Sequence, residues 1–310
     1  MKVLVTGGAG FIGSHVVEAL LAGGHAVSVV DNLSSGRRAN LPAAARLIEL
    51  DIRDPRLAEV FEQERPDWVA HHAAQVDVRR SVADPLLDAD INVRGGLNVL
   101  ESARRAGVRR FVYASTGGAV YGEPEYLPVD ERHPVNPLSP YGASKHALEH
   151  YLYLYQQNFG LTYVVLRYPN VYGPRQDPHG EGGVIAIFTD RLLRGAPITI
   201  YGDGEQTRDF TFVEDCARAN LLALENPAAH GIYNLGTGQA TSINQVFATL
   251  KDVTRYSLAA NYGPAKVGET RFIYSDASRA RMELGWQPEY DLRAGLARTV
   301  AHFRGENKPA

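Results

Sequence analysis

Tyr141 and Lys145 stand four residues apart in Ser139-Pro140-Tyr141-Gly142-Ala143-Ser144-Lys145, a step that puts two side chains on one face of a helix. Pro140 suits the first turn of such a helix. A phenol gives up its proton only near pH 10, roughly, so it is a poor base in neutral water. An ammonium beside it favours the phenolate and brings general-base chemistry within reach. Lysine fits that task, being a compact charge on a flexible stem that can also reach a ribose hydroxyl. Only five of the 32 basic residues are lysines, Lys2, Lys145, Lys251, Lys266 and Lys308, so a lysine at this spot is not generic filler. By itself Tyr-x-x-x-Lys says little, because exposed helices carry it by chance. A third group gives it meaning. Ser115 and Thr116 follow the apolar run Phe111–Ala114, and a hydroxyl at such a strand end can hydrogen-bond the substrate oxygen whose proton Tyr141 takes. Counting from the strand end favours Thr116, with Ser115 as a supporting neighbour.

A second constellation opens the chain. Val3-Leu4-Val5-Thr6 runs into Gly7-Gly8-Ala9-Gly10-Phe11-Ile12-Gly13, where Gly8, Gly10 and Gly13 fit the G-x-G-x-x-G pattern. Glycine there allows a tight turn, close backbone approach to a pyrophosphate and close helix–strand packing, with phosphate at a helix N-terminus. Asp31 follows 18 residues after Gly13, where an acid accepts from ribose hydroxyls and repels a 2′-phosphate. NAD is therefore expected rather than NADP, although Arg37 and Arg38 stand nearby.

These residues need a scaffold. The sequence predicts strands over Lys2–Thr6, Ala26–Asp31, Arg46–Glu49, Trp68–His71, Phe111–Ala114 and Thr162–Arg167. Helical patterns lie between them at Gly13–Ala22, Pro55–Glu64, Val93–Ala106 and Tyr141–Phe159. Such alternation argues for an α/β fold, a doubly wound parallel (Rossmann) sheet covered on both faces. After about Arg167 glycine and proline become frequent and helices (Val184–Arg194, Val213–Glu225, Ile243–Val253, Ser278–Leu284) are irregularly spaced. The expected division is a dinucleotide-binding domain over 1–168 and a smaller C-terminal α/β substrate lobe over 169–310, some of whose segments return to the first domain. A length of 310 residues, 45% hydrophobic and 22% charged with a net charge of −3, is ordinary for a globular enzyme. It gives no reason to expect a nucleic-acid or membrane partner. Cys216 is the only cysteine, which excludes an intrachain disulfide and a multi-cysteine metal site. No metal is expected, and a cytoplasmic location is.

Taken together, Thr6–Gly13, Asp31, His72-Ala73-Ala74, Asn92, Ser115/Thr116, Tyr141-x-x-x-Lys145 and Arg167-Tyr168-Pro169-Asn170-Val171-Tyr172-Gly173-Pro174 resemble the extended short-chain dehydrogenases/reductases, in order and over essentially the whole chain. The resemblance implies NAD held by Gly7, Gly10, Phe11, Ile12, Gly13, Asp31, Asn32, Asp51, Ile52, His72, Ala73, Ala74, Gln75, Asn92, Ala114, Tyr141, Lys145 and Tyr168. It implies a UDP-sugar held by Thr116, Asn170, Val184, Thr199, Tyr201, Arg208, Lys266, Glu269 and Ile273. In that assignment Arg208 grips the diphosphate, as a guanidinium can do bidentately, and Glu269 meets the uridine ribose. Lys266 stands where relatives usually have arginine. The turn after the catalytic strand is one residue longer than in many relatives, and Gly117-Gly118 occupies the place where dehydratase relatives carry acids. This predicts simple hydride shuttling at C4, interconverting UDP-glucose and UDP-galactose through a transient 4-keto sugar. N-acetylated or uronic UDP-sugars, or non-catalytic NAD sensing on the same fold, are the alternatives. Ile273, mid-sized and stiff at χ1, is expected to hinder an acetamido group near the sugar. Apolar residues around the remainder of the helix Tyr141–Phe159 predict a homodimer.

Overall fold

The computed structural model describes residues 1–179, 183–265 and 270–306; Lys266 and Glu269 lie outside the described residues. The first half lays down β1 (Lys2–Thr6), α1 (Phe11–Ala22), β2 (Ala26–Asp31), β3 (Arg46–Glu49), α2 (Leu57–Glu64) and β4 (Trp68–His71). Two short helices follow, α3 (Val78–Ala83) and α4 (Pro85–Ala89), with Asp77 and Asp84 as their N-caps. A π-helical turn, Asp90–Gly95, then leads into α5 (Gly96–Arg105), β5 (Arg110–Thr116), α6 (Pro140–Phe159) and β6 (Thr162–Tyr168). The second half adds β7 (Asn170–Tyr172), α7 (Val184–Leu193), β8 (Thr199–Tyr201), β9 (Thr207–Arg208), β10 (Phe210–Phe212), α8 (Val213–Glu225) and β11 (Gly231–Asn234). It closes with β12 (Thr241–Ser242), α9 (Ile243–Thr254), β13 (Asn261–Gly263), a second π turn at Ala280–Leu284 and α10 (Leu292–Phe303).

Seven strands form one parallel sheet in the order β11-β6-β5-β4-β1-β2-β3. Strand alternation sends Val3 and Val5 to one face and Leu4 to the other. The first face packs on α1 and α8 through Val16, Val17, Leu20, Ala219 and Ala223. The opposite face packs on α2, α5 and α6 through Leu57, Phe61, Val99, Leu100, Leu148 and Leu152. Truncating one of these, Leu148→Ala for instance, removes about 2–5 kcal/mol. The sheet is thus doubly wound, with β4 as its middle strand and β5 beside it. A separate core of Ile185, Phe188, Ile198, Phe210, Val246, Leu250 and Leu296 lies under α7, α9 and α10. Within the described residues no helix is long and apolar enough to cross a membrane.

The largest departure from the predicted elements is α10, Leu292–Phe303, a helix the sequence did not predict; another lies before α5. Helix was expected from Val93 onward; the chain is already helical at Pro85 and passes through the π turn. Gly95 and Gly96 allow close packing there, since a Cβ would come 2.9 Å from the Ile52 side chain at one and 2.6 Å from Leu148 at the other. Asn98 fixes the register by donating to the carbonyls of Ile52 and Asp54.

Candidate active site

The glycines after β1 divide their tasks. Gly7 has φ +69°, and a Cβ there would lie 2.5 Å from the Ala73 nitrogen, so a side chain is excluded twice over. At Gly13 a Cβ would meet the Gly7 carbonyl at 2.1 Å, which is what lets α1 start so close to the turn. Gly10 differs: its Cβ would meet only the Gly7 oxygen, at 3.2 Å. It also caps α1 with no side-chain hydrogen bond. The first-turn amides, those of Phe11 and Ile12 among them, are left facing an open cradle suited to a phosphate. Asp31 is fixed at the end of β2 by the amides of Ala9 and Leu33, at 2.9 and 2.8 Å. Asn32 donates to Asp51, and Arg53 holds Asp51 bidentately while also reaching Asp90. Ile52 beside them is buried. These residues fit a dinucleotide.

Beyond β4, Thr6 meets the His71 ring at 2.6 Å and accepts from the Ala73 amide. His72 bonds the Tyr168 hydroxyl at 3.1 Å, which Asn220 also reaches at 2.6 Å. The Gln75 amide donates to Asn92 at 2.8 Å. Ala74 lies between these anchored residues, and Ala114 is buried in β5. His72, Gln75, Asn92 and Tyr168 are therefore tied into the apex of the sheet.

At the centre, α6 presents Tyr141 and Lys145, with Ser139 capping the helix through the Gly142 amide at 3.2 Å. The Thr116 hydroxyl stands near enough to the Tyr141 phenol to favour its ionised form. The sequence had Lys145 lowering the phenol; instead burial dominates and pushes Tyr141 up to about 12, with Thr116 pulling the other way. The same burial brings Lys145 down to about 8, against the attraction of Glu149 and Asp88. Its ammonium lies 4.7 Å from the centre of the Tyr113 ring. Ser115 points away from Thr116. It donates to Glu149 at 2.6 Å, because alternate strand residues point to opposite sides.

Glu149 also takes both arms of Arg167, at 3.0 and 2.6 Å, and Arg167 donates to the Tyr121 hydroxyl, which reaches Asn234. Burial would raise Glu149, but His146, Arg167 and Ser115 together hold it down to about 2. This cluster joins β5, α6, β6 and β11. Ser115 and Arg167 fall within motifs the sequence offers, whereas Tyr121, His146, Glu149 and Asn234 join them from distant positions that no local spacing marks.

On the substrate side Gly117, Gly118, Asn170, Asp209, Ile273 and Ser275 line one small cleft. A Cβ on Gly118 would come 3.8 Å from Thr116 Oγ1 and 3.9 Å from Asn170 Oδ1, so these groups converge over the glycine floor. Ile273 also packs with Val120, Tyr121 and Val129. Arg208 lies on β9, whose residue Thr207 accepts from the Ile273 amide. Arg208 donates to the Thr207 carbonyl at 2.8 Å. Val184, Thr199 and Tyr201 lie farther out, along α7 and β8 at the edge of the lobe's own core. The sequence reading passed over Asp209. It is buried and accepts from the amides of Thr237, Gly238 and Ser275, and so shapes the cleft wall.

Two buried histidines give the site a pH dependence. Burial, then Arg175, brings His15 to about 3; burial, then Lys145, does the same to His72. Both stay neutral in the folded chain, whereas the unfolded chain takes up their protons below about 6.5. Stability is therefore complete above pH 6.5 and lost as pH falls towards the folded values, at about 1.4 kcal/mol per pH unit for each histidine. Denaturation midpoints measured from pH 7 downward should begin to fall near pH 6. A flat profile to pH 4.5 would contradict this.

Residues 3–236 match the NAD dependent epimerase/dehydratase family, and the chain belongs to it. NAD is accordingly its cofactor. Within the family it is 44% identical over 314 residues to the UDP-glucose 4-epimerase of Mycolicibacterium smegmatis, covering 99% of this chain and all of that one. The UDP-glucose 4-epimerase of Thermotoga maritima, solved with UDP-glucose, superposes with a TM-score of 0.96 at 47% identity, over 99% of this chain and 100% of that one. The Thermus thermophilus UDP-glucose 4-epimerase, solved with NAD, gives 0.92 at 47% identity, over 98% and 99%.

Proposed function

We propose that this chain interconverts UDP-glucose and UDP-galactose by inverting C4 through a transient 4-keto sugar. The observation that carries the reading is the placing of the Thr116 hydroxyl near the Tyr141 phenol, beside a floor of Gly117 and Gly118. An elimination needs a free acid beside that hydroxyl. Asp209, the carboxylate that borders the cleft, is already bound by backbone amides. Bound NAD supplies reversible hydride acceptance at the sugar carbon. Tyr141 takes the 4-hydroxyl proton and later returns it, Thr116 orients that oxygen, and Lys145 stabilises the phenolate. Arg208, with Lys266, Glu269 and Val184, Thr199 and Tyr201, holds the UDP part. Asn170 meets a phosphate, and Ile273 narrows the space near the sugar. Incubation with UDP-glucose, UDP-N-acetylglucosamine and UDP-glucuronate, followed by separation of 4-epimers, tests this. UDP-galactose should form fastest and the acetylated epimer weakly; no epimer from any of the three would end the proposal.

The same proposal includes a homodimer and a cytoplasmic setting, the latter in keeping with a single buried thiol, Cys216. On α6 Tyr151, Tyr153 and Phe159 are exposed, and Val82 and Leu86 on the adjacent short helices are more so, at 62% and 82%. Tyr155 is partly used within the chain, bonding Glu101 at 3.0 Å, and Phe159 is covered on one side by Arg104. The remaining apolar surface suits a two-fold contact. Light scattering at micromolar concentration should return twice the chain mass, and a monomeric mass would count against it.

A further inference from the structure

Asn234 closes β11 fully buried, and no motif read in the sequence includes it. Its Oδ1 accepts from the Tyr121 hydroxyl at 2.6 Å, and its Nδ2 donates to the Val129 carbonyl at 3.0 Å. Tyr121 in turn accepts from Arg167 Nη1 at 2.8 Å. A guanidinium only donates and a backbone carbonyl only accepts. The tyrosine proton therefore goes to Asn234 Oδ1, and the asparagine amide faces Val129 with no choice of orientation. The chain of bonds runs in one sense, and each member fixes the next.

Both ends of that chain are held. Arg167 lies on β6 opposite Ser115 of β5, the residue before Thr116. Glu149 of α6 takes its Nε and Nη2 at 3.0 and 2.6 Å. At the other end Val129 donates to the Tyr274 carbonyl at 3.0 Å and accepts from the Asp276 amide at 2.8 Å, one residue either side of Ser275. Its side chain packs with Tyr121 and Ile273. Ile273 and Ser275 line the cleft whose floor is Gly117 and Gly118. Asn234 reaches the same wall by a second route. Just beyond it, the amides of Thr237 and Gly238 hold Asp209. A Cβ on Gly236 would lie 2.5 Å from Asp209 Oδ2 and 3.0 Å from Ser275 Cβ. In so close a fit a shift at Asn234 passes to the wall.

We propose that Asn234 is a positioning residue for the substrate: with Tyr121 it ties the strands beside Thr116 to the wall at Ile273–Ser275, and so sets how bulky a sugar the cleft takes. This rests on the reading of the cleft as a UDP-sugar site. Loss of the tie lets Ile273 and Ser275 move away from the glycine floor, and a larger sugar gains more from that room than a smaller one.

The quantity to measure is the dissociation constant of UDP-N-acetylglucosamine divided by that of UDP-glucose, by calorimetry on NAD-loaded protein well below its melting temperature. The Tyr141→Phe background keeps bound sugar from being turned over. Asn234→Ala should lower the ratio by roughly two- to tenfold, the worth of one hydrogen bond converted to affinity. Tyr121→Phe, which keeps the ring and removes only the hydroxyl, should shift it the same way, and it is read alone if Asn234→Ala does not fold. Ser115→Ala is the control. It loosens the Glu149 cluster from the far side and leaves the tie intact, so its melting temperature should fall and its ratio hold. A ratio unmoved in the folded variants, with only the melting temperature lowered, makes Asn234 purely structural and overturns the proposal. An equal shift in Ser115→Ala overturns it too. Failure of both sugars to bind sinks the UDP-sugar reading and the proposal with it. Because binding is read without turnover, the outcome is separate from that of the epimer assay.

Discussion

Tyr141→Phe should abolish turnover, by roughly 10²–10⁴-fold or more, while NAD and UDP-sugar still bind. The ring stays, so α6 keeps its packing against the apex of the sheet; what goes is the oxygen that can give up and take back a proton. No other ionisable group stands ready to replace it. Lys145 is over the Tyr113 ring at 4.7 Å, and His72 is directed to Tyr168 at 3.1 Å. Steady-state turnover and equilibrium binding of each ligand, measured separately, check this. Retention of more than about a tenth of the activity would remove Tyr141 from the general-base role.

Thr116→Val comes next in size, with a loss of turnover of roughly 10–100-fold, because it deletes the hydroxyl that meets the phenol at nearly constant volume. Ser115→Ala makes the opposite pattern. Ser115 donates to Glu149 within a buried ion pair, so its removal should lower the melting temperature, by about 1 kcal/mol of stability, and leave turnover close to that of the parent. Measuring both quantities on both variants separates the roles. Should Ser115→Ala cost more turnover than Thr116→Val, the two hydroxyls have been assigned the wrong way round.

Much of this was legible before any coordinate. The strands Lys2–Thr6, Ala26–Asp31, Arg46–Glu49 and Trp68–His71 were read with the bounds observed, because β-branched runs closed by turn residues carry their own punctuation. Gly7 to Gly13, Asp31, Tyr141 and Lys145 stand out in the sequence since the roles expected of them depend on local spacing. What escaped depends on partners distant in the chain. Asp88 looks like any acid in Pro85-Leu86-Leu87-Asp88; only the fold turns it inward towards Gln75 and Asn92. The π turn could not be read from periodicity, nor could the close approach of Gly95 to Ile52 and of Gly96 to Leu148, which the fold sets. The direction of the Tyr141 shift differs from the expected one for a similar reason: spacing reveals that a lysine is near in the chain, and burial, the largest cause of the shift, is a property of the whole apex.

The edge strand β11 sets a timetable for synthesis. It pairs in parallel with β6, Gly231 opposite Val164 through Asn234 opposite Arg167, and α8 covers the same face of the sheet through Ala219 and Ala223. On the ribosome β6 emerges first, with Val164, Val165 and Leu166 destined for complete burial. The residues that shield it follow only after several seconds at ordinary elongation rates. During that interval the nascent chain presents an unpaired apolar edge, the kind of surface that joins to another chain. Slow codons placed between Tyr168 and Gly231 should therefore lower the soluble yield, whereas the same codons placed after Asn234 should leave it unchanged.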